Sequence, residues 1–294
     1  MGLFDKLFKK ENCTICGNEC GSLGRTKLRD GEYVCSNCVK SCSSYVRVSE
    51  FTRDDLIGHM DYMKVQDKIY NDSFMNAKRN ETPSAGREQS IVFCDEIGMF
   101  EIRDRKNAGR KNYHELFRYD QVESYEPYVK YGTPKEGSKE KPFEEYGITI
   151  TFLGSRDAER RDPDMLQERR AHPYVKQPVT VVLSRDEKEF EKYNYANSIA
   201  SHFDVIFGVH DDQRGLFSFS QSKQQKRETQ AQVDMAKMFG TAFKAAKAGE
   251  DSAEMEAAKQ QFSAAKESTE AAKTRGLSKY SEAADAAEAL ARKG

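Results

Sequence analysis

Apolar and polar positions change rhythm several times along the chain. From Ser49 the stretch SEFTRDDLIGHMDYMKVQDKIYNDSFMNAKRN carries Leu56, Met60, Met63, Tyr70 and Phe74 near helical spacing. Thr52 with Asp55 three places on forms a capping-box signal, so a helix is predicted to start there. ETPSAGREQ (81–89) breaks the pattern. Strand-like runs follow: IVFCDE (91–96), MFEIRD (99–104), HELFRY (114–119), VESYEPYV (122–129), YGITITFL (146–153) and PVTVVL (178–183). Ile97-Gly98 suits a tight hairpin between the first two. Ile148, Ile150 and Phe152 alternate with Thr149 and Thr151, the period of a half-buried strand. Two polar insertions separate these runs and belong on the surface. SRDEKEFEKYNYANSIASHFDVIFG then predicts a closing amphipathic helix, with Ser184 and Glu187 as a second capping box and Phe190, Tyr193, Ile199, Phe203 and Ile206 on one face.

After about residue 211 Ser, Gln, Lys, Glu and Ala dominate, and AAK recurs at 257, 264 and 271. This seven-residue step marks a mostly alanine stripe, with Met255 and Phe262 as its larger members. Gly240, Gly249 and Gly276 divide the segment, and the expectation is a partly helical, largely solvated tail or a weak partner-docking helix. The fold class read from the pattern is α+β, in four parts: a cysteine module over 1–48, a connecting helix over 49–82, an antiparallel β domain over 88–210 forming a small barrel or sandwich closed by its last helix, and an Ala/Lys/Glu-rich tail over 211–294.

Composition sharpens the picture in three ways. Lys and Arg number 47 against 48 Asp and Glu, which argues against a protein-wide polyanion-binding role. In the first fifty residues eight basic side chains face six acidic ones, a net of +2, too weak for a nucleic-acid footprint. No apolar run approaches the ~20 residues of a membrane span. The start of the chain lacks a signal-peptide pattern, and Lys6 occupies the place where a myristoylation signal wants Ser or Thr. A cytoplasmic address is expected, with weak contact of residues 1–10 to the inner membrane surface as an option, since Leu3, Phe4, Leu7 and Phe8 oppose Lys6, Lys9 and Lys10.

The chemistry concentrates at the N-terminus. Six of the seven cysteines fall in ENCTICGNECGSLGRTKLRDGEYVCSNCVKSC, as Cys13, Cys16, Cys20 and Cys35, Cys38, Cys42. Cys13-x2-Cys16 with Gly17 reads as a knuckle, Asp30-Gly31 as a hairpin turn, and Cys35-x2-Cys38 as a helix start, a treble-clef zinc ribbon. Cys13, Cys16, Cys35 and Cys38 are the expected ligands of one structural zinc, with iron as the minor alternative. For Cys20 and Cys42 three readings stand: buried thiols acting as small hydrophobes, a pair that closes as a disulfide on oxidation, or alternate zinc ligands. A loop cluster of Arg103, Arg105, Lys106, Arg110 and Lys111 is a candidate anion-binding site. The five histidines lack ligand spacing, and no nucleophile, phosphate-loop or metalloprotease motif is present, so no enzyme activity and no small-molecule substrate are expected.

CTICGNECGSLGRTKLRDGEYVCSNC resembles an uncharacterised bacterial zinc-ribbon family, with its CxxCG, the Leu28-Arg29-Asp30-Gly31 turn and the second CxxC. Members often carry a pleckstrin-homology-like domain downstream, and Ile91 to about Phe207 looks like one. The resemblance implies a binding scaffold without catalysis and gives Cys20 and Cys42 no role. The leading expectation is a non-catalytic zinc-binding adaptor that meets a protein partner through its β domain or its tail. A nucleic-acid-associated zinc-ribbon regulator and a thiol redox sensor built on Cys20 and Cys42 are the alternatives.

Overall fold

The computed structural model describes residues 10–83, 88–106, 109–134, 141–154, 171–207 and 277–293. The N-terminal amphipathic stretch 1–9 and the AAK repeats therefore lie outside the described residues. Four short strands open the chain: β1 (Glu11–Asn12) pairs with β2 (Glu19–Cys20), and β3 (Arg25–Lys27) with β4 (Tyr33–Cys35). A four-residue helix, α1 (Ser36–Val39), follows directly.

Helix α2 (Arg53–Ile69) starts where the capping box predicts. Thr52 Oγ1 accepts from the Asp55 N–H at 3.2 Å, and the Thr52 N–H donates to Asp55 Oδ2 at 2.9 Å. The same carboxylate accepts from Arg29, and Asp30 Oδ2 accepts from the Arg53 N–H at 2.7 Å, so the Asp30-Gly31 turn is pinned to the helix start. The buried face is Leu56, His59, Met63, Gln66 and Ile69. His59 takes a place the apolar pattern would give to Met60, which is half-buried against the cysteine module. A π turn (Tyr70–Phe74) prolongs the helix, and residues 80–82 of the expected connecting helix are instead strand β5 (Asn80–Thr82), paired with β6.

The strands form two open antiparallel sheets. The first runs β5, β6 (Gln89–Cys94), β7 (Met99–Asp104), β8 (Phe117–Arg118); the second runs β9 (Val122–Tyr131), β10 (Phe143–Phe152), β11 (Val179–Ser184). Each expected strand has a counterpart, but the HELFRY run keeps two strand residues before a 3-10 turn (Tyr119–Gln121) leads into β9. The expected closed barrel does not form among the described residues, because backbone pairing stops at both seams. β11 lies beside β6, joined there by the Gln89 side chain, whose Oε1 accepts from the Val182 N–H at 2.8 Å. Aromatic rings fill the space between the sheets: Phe152 stacks with both Phe100 and Phe117, and Phe203 meets Phe93 and Phe100 edge-on. Edge-to-face and offset stacks of this kind add to the gain from burial.

The closing helix is two helices, α3 (Glu187–Tyr193) and α4 (Tyr195–Ile206), broken at Asn194 with φ 40°. Asparagine tolerates the left-handed region better than most residues, which locates the break. The Ser184–Glu187 box is not formed. Asp186 caps α3 through the Lys188 N–H, and Ser184 Oγ instead donates to Glu189. A final helix, α5 (277–293), packs Leu277, Tyr280, Ala284, Ala287 and Ala291 inward. Residues 277–293 are thus bound to the sheets rather than solvated, held by the ring of Tyr280 on Tyr119 and by ion pairs to Arg118, while the rest of the expected tail over 211–294 lies outside the described residues.

Candidate metal centre

The two halves of the cysteine frame are brought together by short backbone devices. β1 and β2 close the knuckle: the Cys13 N–H donates to Asn18 O at 2.9 Å and the Gly17 N–H to Cys13 O at 2.8 Å. Gly17 sits at φ 75°, a region a side chain would disfavour, so the tight turn between the first ligand pair depends on glycine. The Thr14 N–H donates to Tyr33 O at 2.8 Å, and Thr14 Oγ1 also meets Glu32, which clamps the knuckle to the β3–β4 hairpin. Arg25 lies over the Tyr33 ring at 4.5 Å. Cys35 ends β4 and caps α1; Cys38 stands one turn into that helix.

The Sγ atoms of Cys13, Cys16, Cys35 and Cys38 all lie within 4.8 Å of one another. Cys13 and Cys38 are 3.8 Å apart, Cys16 and Cys35 3.7 Å. A tetrahedral ion with metal–sulfur bonds of about 2.3 Å has ligand–ligand edges of about 3.8 Å, so both spacings fit one metal at the centre. Backbone N–H groups already point at the sulfurs: Cys35 N to Cys13 Sγ at 3.3 Å, Cys38 N to Cys35 Sγ at 3.5 Å. Burial raises the Cys13 thiol, but N–H groups of Cys16, Cys35 and Ile15 outweigh it and lower the group to about 6. Burial, then the neighbouring thiols, push Cys38 well up. Thiols this close share one negative charge with difficulty and four only around a cation, so the donor set suits a metal. Three of the four are buried and Cys16 is exposed.

Cys20 and Cys42 lie outside this four-sulfur cluster. The Cys20 thiol donates to Glu11 O at 3.3 Å; burial raises its pKa first, the neighbouring Cys13 and Cys35 next. Cys42 donates to Cys38 O at 3.9 Å and is pushed up to about 11 by burial, against Lys111. Their neighbours differ, one facing the knuckle and the other the β-sheet side. Raised thiols are poor nucleophiles at neutral pH.

Three of the five basic residues of 103–111 are drawn into ion pairs. Arg103 bonds Glu81 and Glu101, Arg105 bonds Glu81, and Lys106 bonds Glu88. These contacts tie the ends of β5, β6 and β7 together. Lys111 turns toward the cysteine module, donating to Cys42 O at 2.9 Å, while Arg110 is exposed. Asn112 N donates to Lys40 O, and Ser43 Oγ donates to Glu115 Oε2 at 2.6 Å. The segment 109–116 thus clasps residues 40–43, and the Ser43 N–H completes the joint by donating to His59 Nε2 at 3.0 Å. Sequence reasoning missed Glu115, Ser43 and His59; they carry no local motif.

Burial pushes the Glu115 carboxyl up to about 7, although Ser43 and Lys111 pull it down. Its Oε1 is shielded without a hydrogen-bond partner. A raised carboxyl supports folding fully below its unfolded value near 4.5, and that support is lost as pH rises through about 7. Glu115→Gln is expected to raise stability at pH 8 by up to about 3 kcal/mol while leaving pH 4 nearly unchanged. His59 and His172, lowered by burial to about 4 and about 3, add an opposite acid limb. The check is therefore the difference in urea midpoint between variant and wild type from pH 4 to 8. A flat difference would remove Glu115 from the joint.

A family model described as a domain of unknown function (DUF4428) matches residues 11–59 and so contains all four clustered cysteines. No curated protein and no solved structure matches the chain.

Proposed function

We propose that this chain is a non-catalytic scaffold of the cytoplasm, in which a structural zinc holds the N-terminal module and a pleckstrin-homology-like β unit carries a protein partner. The observation that carries the reading is the closed shell of four cysteine sulfurs at tetrahedral spacing. Four protein ligands leave no open position for water or substrate, which is the arrangement of structural rather than catalytic zinc. An all-thiolate site suits zinc, with iron as the competitor. Support for the β unit comes from its order, a four-stranded meander, a three-stranded meander and a helix packed across the aromatic core. No helix among the described residues is long and apolar enough to cross a membrane.

Elemental analysis of protein purified under reducing conditions tests the core of this reading, with one zinc per chain expected. Cys20→Ala and Cys42→Ala should each keep that equivalent, since neither sulfur belongs to the cluster. Iron in place of zinc, or a metal lost with Cys20, would overturn the assignment. In-cell cross-linking followed by mass spectrometry tests the scaffold role; repeated capture of the same protein on 88–207 is expected, and capture of none argues against it.

A further inference from the structure

Helix α1 presents Cys38 to the cluster, yet at four residues it is too short to hold its own shape. The backbone oxygens at a helix end need partners from outside the helix. Here one segment of the β unit supplies three of them. The Asn112 N–H donates to Lys40 O at 3.1 Å, Asn112 Nδ2 to Asn37 O at 3.5 Å, and Lys111 Nζ to Cys42 O at 2.9 Å. Asn112 Nδ2 also donates to Ser41 Oγ at 2.7 Å, and Ser43 Oγ donates to Glu115 Oε2 at 2.6 Å. An ammonium at a helix C-terminus satisfies carbonyls and suits the dipole there. The donor segment is itself fixed. The His114 N–H donates to Asp67 Oδ1 of α2 at 2.9 Å, the His114 ring lies flat on Tyr70, and Leu116 and Phe117 are buried where the segment enters β8. A rigid platform thus grips the run of backbone that begins at one of the four ligands.

We infer that Lys111 and Asn112 are positioning residues of the metal centre: from the β unit they cap the helix that presents Cys38, so that metal binding and the docking of 109–116 on 37–43 reinforce each other. The inference rests on the zinc-scaffold reading above and adds a route by which the β unit responds to the metal. Both residues act through backbone oxygens and the Ser41 hydroxyl, so their effect reaches the metal only by way of Cys38. Groups that hold ligands in place are worth about 10–100-fold in metal affinity. Coupling of this kind is reciprocal: the factor by which docking tightens the metal is the factor by which the metal tightens docking.

The full chain loaded with zinc is mixed with excess chromophoric chelator, and its release rate is compared with that of Lys111→Met/Asn112→Ala. Methionine keeps most of the lysine stem without its ammonium, and alanine removes the amide that reaches Asn37 and Ser41. Release about tenfold faster than wild type, or more, is expected. Arg110→Ala, at an exposed neighbour in the same segment, is the control and should release zinc at the wild-type rate. Double-variant release indistinguishable from wild type overturns the inference. Equally fast release from Arg110→Ala also overturns it, since the effect would then be one of net charge. Hydrogen exchange on the unmutated chain gives the reciprocal readout. Removing zinc should speed exchange within 109–116 and leave β10 unchanged; an unaltered rate in 109–116 overturns the coupling. Zinc content separates the two levels. A wild-type chain that takes up no zinc fails the scaffold reading and this inference with it, whereas one zinc per chain, lost at equal rates from wild type and double variant, fails the coupling alone.

Discussion

Cys35→Ser is expected to empty the metal site and unfold residues 10–51 while the two sheets stay folded. Cys35 does three things at once: it ends β4, caps α1 by accepting the Cys38 N–H, and stands 3.7 Å from Cys16 across the cluster. A serine hydroxyl can keep the cap but is a poor donor to zinc at neutral pH. Affinity should therefore fall by more than the ~10–100-fold that loss of an outer-shell partner causes. The module has little else to rely on. Its core is Leu28, Val34, Val48 and Leu56 around the cysteines themselves, too few apolar side chains for an independent fold of this size. Apparent zinc-binding energies in comparable small modules are on the order of 10–16 kcal/mol, so losing the ion exceeds any compensation by packing. Limited proteolysis should cut the variant first between the knuckle and the hairpin, and elemental analysis should find less than a tenth of an equivalent. Cys94→Ser is the control: that thiol is buried in β6, away from the cluster, and its loss should leave the metal in place. A Cys35→Ser protein that retains its metal would show that the sulfurs are neighbours and not ligands.

What the sequence made legible was local. The Asp30-Gly31 turn and the Thr52–Asp55 cap each place donor and acceptor within a few residues, so the pattern contains the contact, and the four-cysteine frame was legible from its doubled CxxC spacing although its pairs meet across 19 and 25 residues. The strands of β6, β7, β9, β10 and β11 were readable for the same reason. What stayed hidden depends on partners far along the chain. Arg103 and Arg105 look like a basic loop until β5 delivers Glu81 to them. His59 looks like a misplaced polar residue on a helix face until Ser43 donates to it. Ser184 has the spacing of a cap, but its hydroxyl is taken by Glu189 and Asp186 does the capping. The docking of α5 was the least visible, because the alanine stripe read from the sequence lies at 257–273, outside the described residues, and nothing local to 277–293 names its opposing surface. Its anchor joins Arg118 to Asp285 and Glu288 across separations of 167 and 170 residues, which no periodicity encodes.

Arg118→Met is expected to release α5 and cost about 3–5 kcal/mol, the range for removing one partner of a buried ion pair. The guanidinium forks onto Asp120, with Nε to Oδ1 at 2.9 Å and an Nη to Oδ2 at 2.7 Å, and its other nitrogen reaches Asp285 and Glu288. Ser281 Oγ donates to the same Asp120 carboxylate at 2.7 Å. Three negative groups converge on one positive group, so the site carries a net negative charge even when intact. Methionine preserves much of the volume and removes the cation, leaving Asp120 inside with one hydroxyl for company. That carboxyl must then take up a proton, admit water, or drive α5 away; the last relieves all three charges at once. Arg118→Lys separates charge from geometry. Lysine supplies the cation but cannot fork onto Asp120 while spanning to α5, so an intermediate loss is expected. Denaturant midpoints at pH 7.5, with proteolysis within 277–293 as the local readout, check both variants. A methionine variant within 1 kcal/mol of wild type at pH 7.5 would mean that packing of the alanine seam alone holds the helix.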